Sequence, residues 1–238
     1  MSGRSKKAGD GETLRQELER RFRTKVTPVD IAAWHIELLH PADPESLISE
    51  EDFDRDERLP YWADVWPSSI IMSRHVAMLH GAGRSLLELG SGAGLVATAA
   101  ALAGFDVTAS DYYEDSLRFT RANVQHHTGR EPTVHLLDWR ALPARLPRYD
   151  VVVGSDVLYE RQYGALVAET ISRTLKGGGV AYITDPGRIA TKDFVEECAR
   201  RGLHVRTLER IPFNPEAALR QMIDIYEIRW EVSSSEML

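Results

Sequence analysis

The chain has 238 residues, with 36 acidic and 29 basic side chains and a formal net charge of −7. At roughly 150 residues per domain, that length fits one large domain or two small ones. Its 43% hydrophobic and 27% charged residues exclude a wholly disordered chain, a collagen and a coiled coil, and the acidic balance argues against a general nucleic-acid binder.

The first dozen residues read as a tail without structure of its own. Gly11 to Arg23 carries Leu14, Leu18 and Phe22 at every fourth position, which predicts a charged helix. Val26 to Leu39 is rich in β-favouring residues and reads as one or two strands. Residues 42–58 hold eight acids and two arginines and read as a loop, flanked by Pro41 and containing Pro44. A helix from Pro67 to His80 follows, with Pro at its first turn and Ile70, Ile71, Val76, Ala77 and Leu79 on its buried side.

From there strands and helices alternate. Strands are expected at Ser85–Leu89, Asp106–Ala109, Thr133–Leu137, Asp150–Gly154 and Val180–Thr184. Helices are expected at Gly92–Ala103, Glu114–His127, Tyr159–Leu175 and Lys192–Arg201, the third of them ended by Lys176-Gly177-Gly178-Gly179. Two closing strands, Leu203–Leu208 and Met222–Val232, have no clear helix between them. The expectation is an α/β fold: a Rossmann-like doubly wound sheet, mostly parallel, with an antiparallel edge hairpin and a short N-terminal helix/strand extension. The extension is placed at 1–58 and the main domain at 59–238.

The charge is localised. Residues 1–25 sum to +4, residues 42–58 to −6 and residues 59–238 to only −3. The acidic segment is either a solvated loop or a lure for a basic protein surface. One cysteine, Cys198, allows neither an internal disulfide nor a cysteine zinc cluster and reads as a packing residue. The longest low-polarity run, Leu95 to Phe105, is far short of the roughly 20 residues of a membrane-spanning helix, so no membrane partner is expected. Met1 to Gly11 lacks the apolar stretch of a secretory signal. These features point to a reducing compartment, the cytoplasm. The eight histidines show no metal-ligand spacing, so no metal is expected.

The sharpest motif is Leu86-Leu87-Glu88-Leu89-Gly90-Ser91-Gly92-Ala93-Gly94: a strand, a glycine turn and a helix. Its third glycine comes one place early for the dinucleotide fingerprint, where Leu95 holds the expected position. Glu88 beside the turn would repel a pyrophosphate and welcome an ammonium. The turn therefore suits an adenosine ligand with an amino-acid tail better than a nicotinamide dinucleotide. Twenty-one residues after Gly90, Asp111 ends the next strand; it is either a ribose-binding acid or a cap for the helix from Glu114. Asp138-Trp139 follows the third strand, either flanking an adenine or capping the sheet. No Lys follows the glycine turn, and Leu89 and Ala93 around Ser91 break a Gly-x-Ser-x-Gly elbow.

Together these residues resemble the class I (seven-β-strand) S-adenosylmethionine-dependent methyltransferases, over about 59–232. Glu88-x-Gly90-x-Gly92-x-Gly94 looks like their first motif. Two further segments are similar to the protein-lysine branch of that family: Pro60-Tyr61-Trp62-Ala63-Asp64-Val65-Trp66-Pro67 ahead of the core, and Asp156-Val157-Leu158-Tyr159, which matches its Asp-x-x-Tyr motif. The Asn/Asp-Pro-Pro-Tyr/Phe motif of nucleic-acid amino-methyltransferases is absent, since Val157 and Leu158 follow Asp156.

The resemblance implies S-adenosylmethionine as cofactor and lysine on a protein as acceptor. It places Trp66, Glu88, Gly90, Ser91, Gly92, Asp111, Tyr112, Asp138, Trp139 and Ser155 around the cofactor, and Asp156 and Tyr159 at the substrate amine. A free lysine amine has a pKa near ~10.4 and arrives protonated; Asp156 would orient that ammonium without helping it lose its proton, and Tyr159 would stack on it or hydrogen bond to it. Bland alternatives stand beside these roles: Asp156 as a cap for a helix beginning near Tyr159, and Trp66-Pro67 as a helix start. A small-molecule methyltransferase and a non-catalytic cofactor-binding module remain the competing functions.

Overall fold

A computed structural model describes residues 13–47, 60–214 and 221–231. The predicted acidic loop falls mostly outside the described residues; within it, Pro44–Leu47 forms a short 3-10 turn.

Seven strands form one sheet. They are β3 (Ser85–Leu89), β4 (Asp106–Asp111), β5 (Thr133–Leu136), β6 (Tyr149–Ser155), β7 (Leu175–Asp185), β8 (Leu203–Phe213) and β9 (Gln221–Trp230), in the order β5-β4-β3-β6-β7-β9-β8. The pairs from β5 through β7 are parallel, whereas β9 runs antiparallel between β7 and β8. The strand order reverses beside β3, so a crevice opens past the carboxyl ends of β3 and β6, where open α/β sheets bind ligands. Val151, Val152 and Val153 are fully buried, as a strand covered on both faces requires.

Five helices cover the sheet: α2 (Pro67–Ala77), α3 (Leu95–Leu102), α4 (Glu114–Thr128), α5 (Tyr163–Thr174) and α6 (Thr191–Arg200). One apolar layer joins α5 and α6 to the sheet through Val167, Ile171 and Phe194, and there Cys198 is fully buried, its thiol pushed up to about 12 by that burial. The opposite layer joins α2, α3 and α4 through Met72, Val96 and Val124. Among the described residues no helix is long and apolar enough to cross a membrane.

The chain begins with α1 (Leu14–Arg21) and a hairpin of β1 (Thr24–Ile31) and β2 (Trp34–Pro41). Thr13 and Gln16 close a capping box at the start of α1. Ile31, Ile36 and Leu38 on the hairpin pack with Leu95 and Ala99 of α3. Buried Asn123 of α4 fastens the hairpin. Its Oδ1 accepts from the Leu39 N–H at 2.9 Å, and its Nδ2 donates to the carbonyls of Leu39 and Ala93, both at 2.8 Å.

Several element ends differ from the sequence expectation, and three of the differences have a clear local reason. Helix α3 starts at Leu95 rather than Gly92, because Gly92 and Gly94 hold φ of 53° and 88°, outside helical space. Helix α5 starts at Tyr163 rather than Tyr159. Val157 and Leu158 dive into the core at 3% and 0% exposure, and Asp156 turns the chain with φ 57°. Asp156 is therefore not the cap of that helix. The run Lys176–Gly179 does not end a helix in a loop: it is the start of β7, and a Cβ on Gly179 would lie 3.1 Å from the Tyr149 carbonyl, where the register to β6 shifts.

Candidate active site

The crevice holds a cavity of about 350 Å³. Trp66, Glu88, Gly90, Ser91, Gly92 and Asp111 line it, as do Tyr112, Asp138, Trp139 and Ser155, and so do Asp156 and Tyr159. All twelve residues singled out in the sequence thus meet at one place.

The glycine turn forms its floor. Gly94 packs so closely on α4 that a Cβ there would lie 2.6 Å from the Thr120 Cα. Gly92 faces the carbonyl of Trp62. The turn's N–H groups are largely satisfied internally: Ser91 donates to the Ser110 carbonyl at 3.0 Å, Gly92 to Asp111 Oδ2 at 2.9 Å and Gly94 to the Ser91 carbonyl at 2.8 Å. A phosphate cradle needs such groups free and aimed at the ligand, so this turn offers shape and closeness instead. Ser91 Oγ accepts from Thr120 Oγ1 at 3.1 Å, which holds α4 against the turn.

Two buried carboxylates flank that floor. Glu88 is 1% exposed and its Oε2 has no hydrogen-bond partner among the described residues. Burial, and then the nearby Asp111, push its carboxyl well above the usual range. Asp111 accepts from the N–H groups of Gly92 and Tyr113, at 2.9 and 3.0 Å. Burial nevertheless raises its pKa. It is not the cap of α4, whose N-cap is Tyr113 without a side-chain bond. The Ala97 N–H reaches the Glu88 carboxylate, but the buried Oε2 without a partner costs free energy that a ligand cation would recover.

Beyond the turn, Trp139 edges toward Gly90, with its ring centroid 5.6 Å from that of Tyr163; its buried Nε1 has no partner among the described residues. Asp138 caps the 3-10 turn Trp139–Ala141 and its carboxylate grips Arg140, with Nη2 to Oδ2 at 2.9 Å. Arg140 in turn lies over the Tyr112 ring, 5.4 Å from its centroid. Ser155 ends β6 at the cavity wall.

The other side of the cavity is aromatic. The Tyr61 ring lies 6.0 Å from Trp66 and 5.4 Å from Tyr159, and Tyr159 lies 4.9 Å from Tyr163. Trp66 is the N-cap of α2 and donates from Nε1 to the Tyr61 carbonyl at 2.8 Å. It is both the helix start and a cavity wall. Burial and the neighbouring Tyr163 push the Tyr159 hydroxyl above its ordinary value, so it stays a neutral phenol. Asp156 is 8% exposed. Its carboxylate is met by Arg188 through two bonds, Nε to Oδ1 at 2.6 Å and Nη2 to Oδ2 at 3.0 Å.

Sequence reading missed Arg188, Tyr61 and Tyr163. Tyr61 lies inside the quoted Pro60–Pro67 segment, yet its ring's place emerges only on folding. Arg188 lies just past the carboxyl end of β7, and that position is the one signal that could have drawn attention to it.

The chain is similar to known proteins over much of its length. A family model for lysine methyltransferases matches residues 52–200. Protein N-lysine methyltransferase METTL21A of Danio rerio is 30% identical over 136 residues, covering 54% of this chain and 62% of the relative. Protein-lysine methyltransferase METTL21E of Bos taurus is 29% identical over 172 residues, covering 67% of this chain and 56% of the relative. The matched region thus spans under two thirds of these curated relatives. Among solved structures, magnesium protoporphyrin IX methyltransferase of Synechocystis, with bound SAM, superposes with a TM-score of 0.55 at 18% identity, over 76% of this chain and 92% of that one. That likeness shows the class I methyltransferase fold. With the family model covering well over half its length, the chain belongs to the lysine methyltransferase family.

Proposed function

We propose that this protein moves a methyl group from S-adenosylmethionine to a lysine side chain of a protein substrate. One observation carries the reading. The partnerless Oε2 of Glu88, beside a glycine turn whose N–H groups are largely satisfied, opens on the same cavity as Asp156 and Tyr159. A cationic amino-acid tail fits the first wall, and an amine fits the second.

The residues present suit that cofactor, which when bound supplies an electrophilic methyl carbon on a sulfonium. In this reading Glu88 receives the ammonium of its amino-acid end and Asp111 the ribose hydroxyls. Trp139, Tyr112 and Asp138 bound the adenine, while Gly90 to Gly92, Ser155 and Trp66 shape the pocket. On the acceptor side Asp156 and Tyr159 orient the amine. Tyr159, held as a neutral phenol, serves as donor and ring face, not as base. Most of the acceleration would come from alignment, which supplies roughly 7–11 kcal/mol in well-oriented reactions. Residues 59–238 act as the transfer domain and 1–58 as an extension, of which Leu18 and Leu39 pack on Phe119. A cytoplasmic location goes with the single, buried cysteine. The relatives' printed activities and the Asp-x-x-Tyr segment favour protein over nucleic acid as the acceptor.

The test uses labelled cofactor and a cell extract, digested afterwards with protease or nuclease. Label should vanish with protease; label lost only to nuclease rejects the protein acceptor. Asp156→Ala should lower turnover about tenfold or more while calorimetry shows cofactor affinity unchanged; a wild-type rate would remove Asp156 from the mechanism.

A further inference from the structure

A carboxylate alone is a poor host for a methyl acceptor. The attacking nitrogen needs its lone pair, and an isolated carboxylate beside it stabilises the ammonium that lacks one. Asp156 is not alone. Arg188 meets both its oxygens side by side, the geometry in which guanidinium and carboxylate bind most firmly.

Both partners are fixed from behind. The Asp156 N–H donates to the Thr184 carbonyl at 2.9 Å, and its left-handed φ of 57° fixes where its side chain leaves the backbone. The Arg188 N–H donates to Asp185 Oδ2 at 2.9 Å, as do the Gly187 N–H at 2.8 Å and the Thr191 hydroxyl at 2.6 Å. Asp185 is fully buried. The guanidinium carbon stands 5.7 Å from the centroid of the Trp66 ring, so the cation also bridges to the aromatic wall.

We propose that Arg188 is a positioning residue that cancels the charge of Asp156, so that the target amine meets the methyl carbon neutral instead of held as an ammonium. The inference rests on the lysine reading above. The amine nitrogen forms its bond to the methyl carbon as the carbon–sulfur bond breaks, the electron pair staying on sulfur. The proton shed beforehand goes to water, and the product leaves as a methylated ammonium. Arg188 makes that earlier loss easier, while Asp156 still offers an oxygen to an N–H of the amine.

Other charged and titratable groups share the cavity: Asp64, Tyr163 and the Asp138–Arg140 ion pair line it too. Asp185 faces Arg188 from β7 and Tyr61 faces it from the 3-10 turn before α2. Tyr159 and Glu160 follow Asp156 in the same loop, and Glu88 and Asp111 lie on the far wall. None of the carboxylates replaces the guanidinium and Arg140 is taken up by Asp138, so its removal leaves the acceptor side with uncompensated negative charge.

The experiment measures initial methylation rates against pH for the full chain, with labelled S-adenosylmethionine and a cell protein extract as acceptor. Rates are read at the protein band that wild type labels. In Arg188→Met the bare carboxylate should move the midpoint of the pH–rate profile up by about one pH unit. Its rate near pH ~7 should fall about tenfold, with the deficit closing as pH rises, and KM for the acceptor should not increase. Asp156→Asn should move the midpoint the other way and raise that KM, because the lone guanidinium repels an ammonium. Arg188→Lys, and the charge-neutral pair Asp156→Asn with Arg188→Met, should return the midpoint to its wild-type place.

A deficit in Arg188→Met that is constant at every pH, or a rate above wild type at neutral pH, overturns the inference. Should Arg188→Met fail to melt cooperatively, the opposed shifts of Asp156→Asn and the double variant decide alone. An absence of any protein band with wild type rejects the lysine reading itself, a separate failure.

Discussion

Glu88 and Asp156 both stand at the carboxyl side of adjacent parallel strands, at 1% and 8% exposure. They differ in what meets them. Glu88 has an oxygen with no partner among the described residues, whereas both oxygens of Asp156 are held by Arg188. Desolvating a charge without a partner is costly. The Glu88 wall is therefore built to be completed by a ligand cation, and the Asp156 wall is complete before any ligand arrives. The first wall also rests on the glycine turn and two helices, while the second is assembled from loops that follow β6 and β7 and from the turn before α2. A cofactor of constant structure suits the rigid side, and a variable protein surface suits the aromatic, loop-built side.

Disturbing the rigid side should have the largest consequence. In Gly94→Ala the new methyl would stand 2.6 Å from the Thr120 Cα at a φ of 88°. Overpacking costs about 1–3 kcal/mol and a left-handed non-glycine residue about 1–2 kcal/mol more. A stability loss of about 3 kcal/mol is expected in denaturant unfolding, with cofactor binding lost alongside it. A near-wild-type midpoint would mean that α4 shifts easily, and that the rigid half of the comparison is wrong.

Asp111→Ala acts on the same wall without filling space. If Asp111 binds the ribose hydroxyls as proposed, its removal should weaken cofactor binding by about 1–3 kcal/mol. Some stability will go with it, since Asp111 also holds the N–H groups of Gly92 and Tyr113. The midpoint of the pH–rate profile, set on the other wall, should stay where it is. Unchanged affinity in calorimetry would leave Asp111 as a turn-stabilising residue only.

The two walls were unequally legible in the sequence. Glu88, Gly90, Gly92 and Asp111 belong to one strand–turn–helix–strand unit, so their separation along the chain determines their meeting in space. The same local logic places the starts of six of the sheet's strands within a residue, whereas β7 begins at Leu175, five residues before the expected Val180. The acceptor wall draws Tyr61, Asp156 and Arg188 from segments 95 and 32 positions apart, and only the sheet order brings them together. Asp156-Val157-Leu158-Tyr159 is visible as a motif, but its backbone path is not. Two apolar residues ahead of the expected helix fill the core, and the left-handed turn at Asp156 is not coded by a glycine. The partner of Asp156 could not be read from the motif at all.

The smallest expected effect bears most directly on Glu88, whose buried Oε2 has no partner among the described residues. Burial first, and the charge of Asp111 second, raise the Glu88 pKa well above its ordinary value. A ligand ammonium favours the ionised form, so binding should draw a proton off Glu88. Affinity for S-adenosylhomocysteine, which keeps the amino-acid end, should accordingly rise as pH climbs through the raised Glu88 pKa, and level off above it. The sign for stability runs opposite in the ligand-free protein. A carboxyl with a raised folded pKa contributes most below its unfolded pKa, and that contribution is lost as pH increases through the folded one. The ligand-induced gain in melting temperature should therefore grow as pH climbs through that raised pKa, by the equivalent of about 1 kcal/mol of added binding free energy. Glu88→Gln removes the titrating group and should flatten most of that slope, with Asp111 supplying the remainder. If the slope survives in Glu88→Gln, the ammonium does not dock at Glu88. The contrast between a wall awaiting a cation and a wall already holding one would then have to be drawn from Asp111.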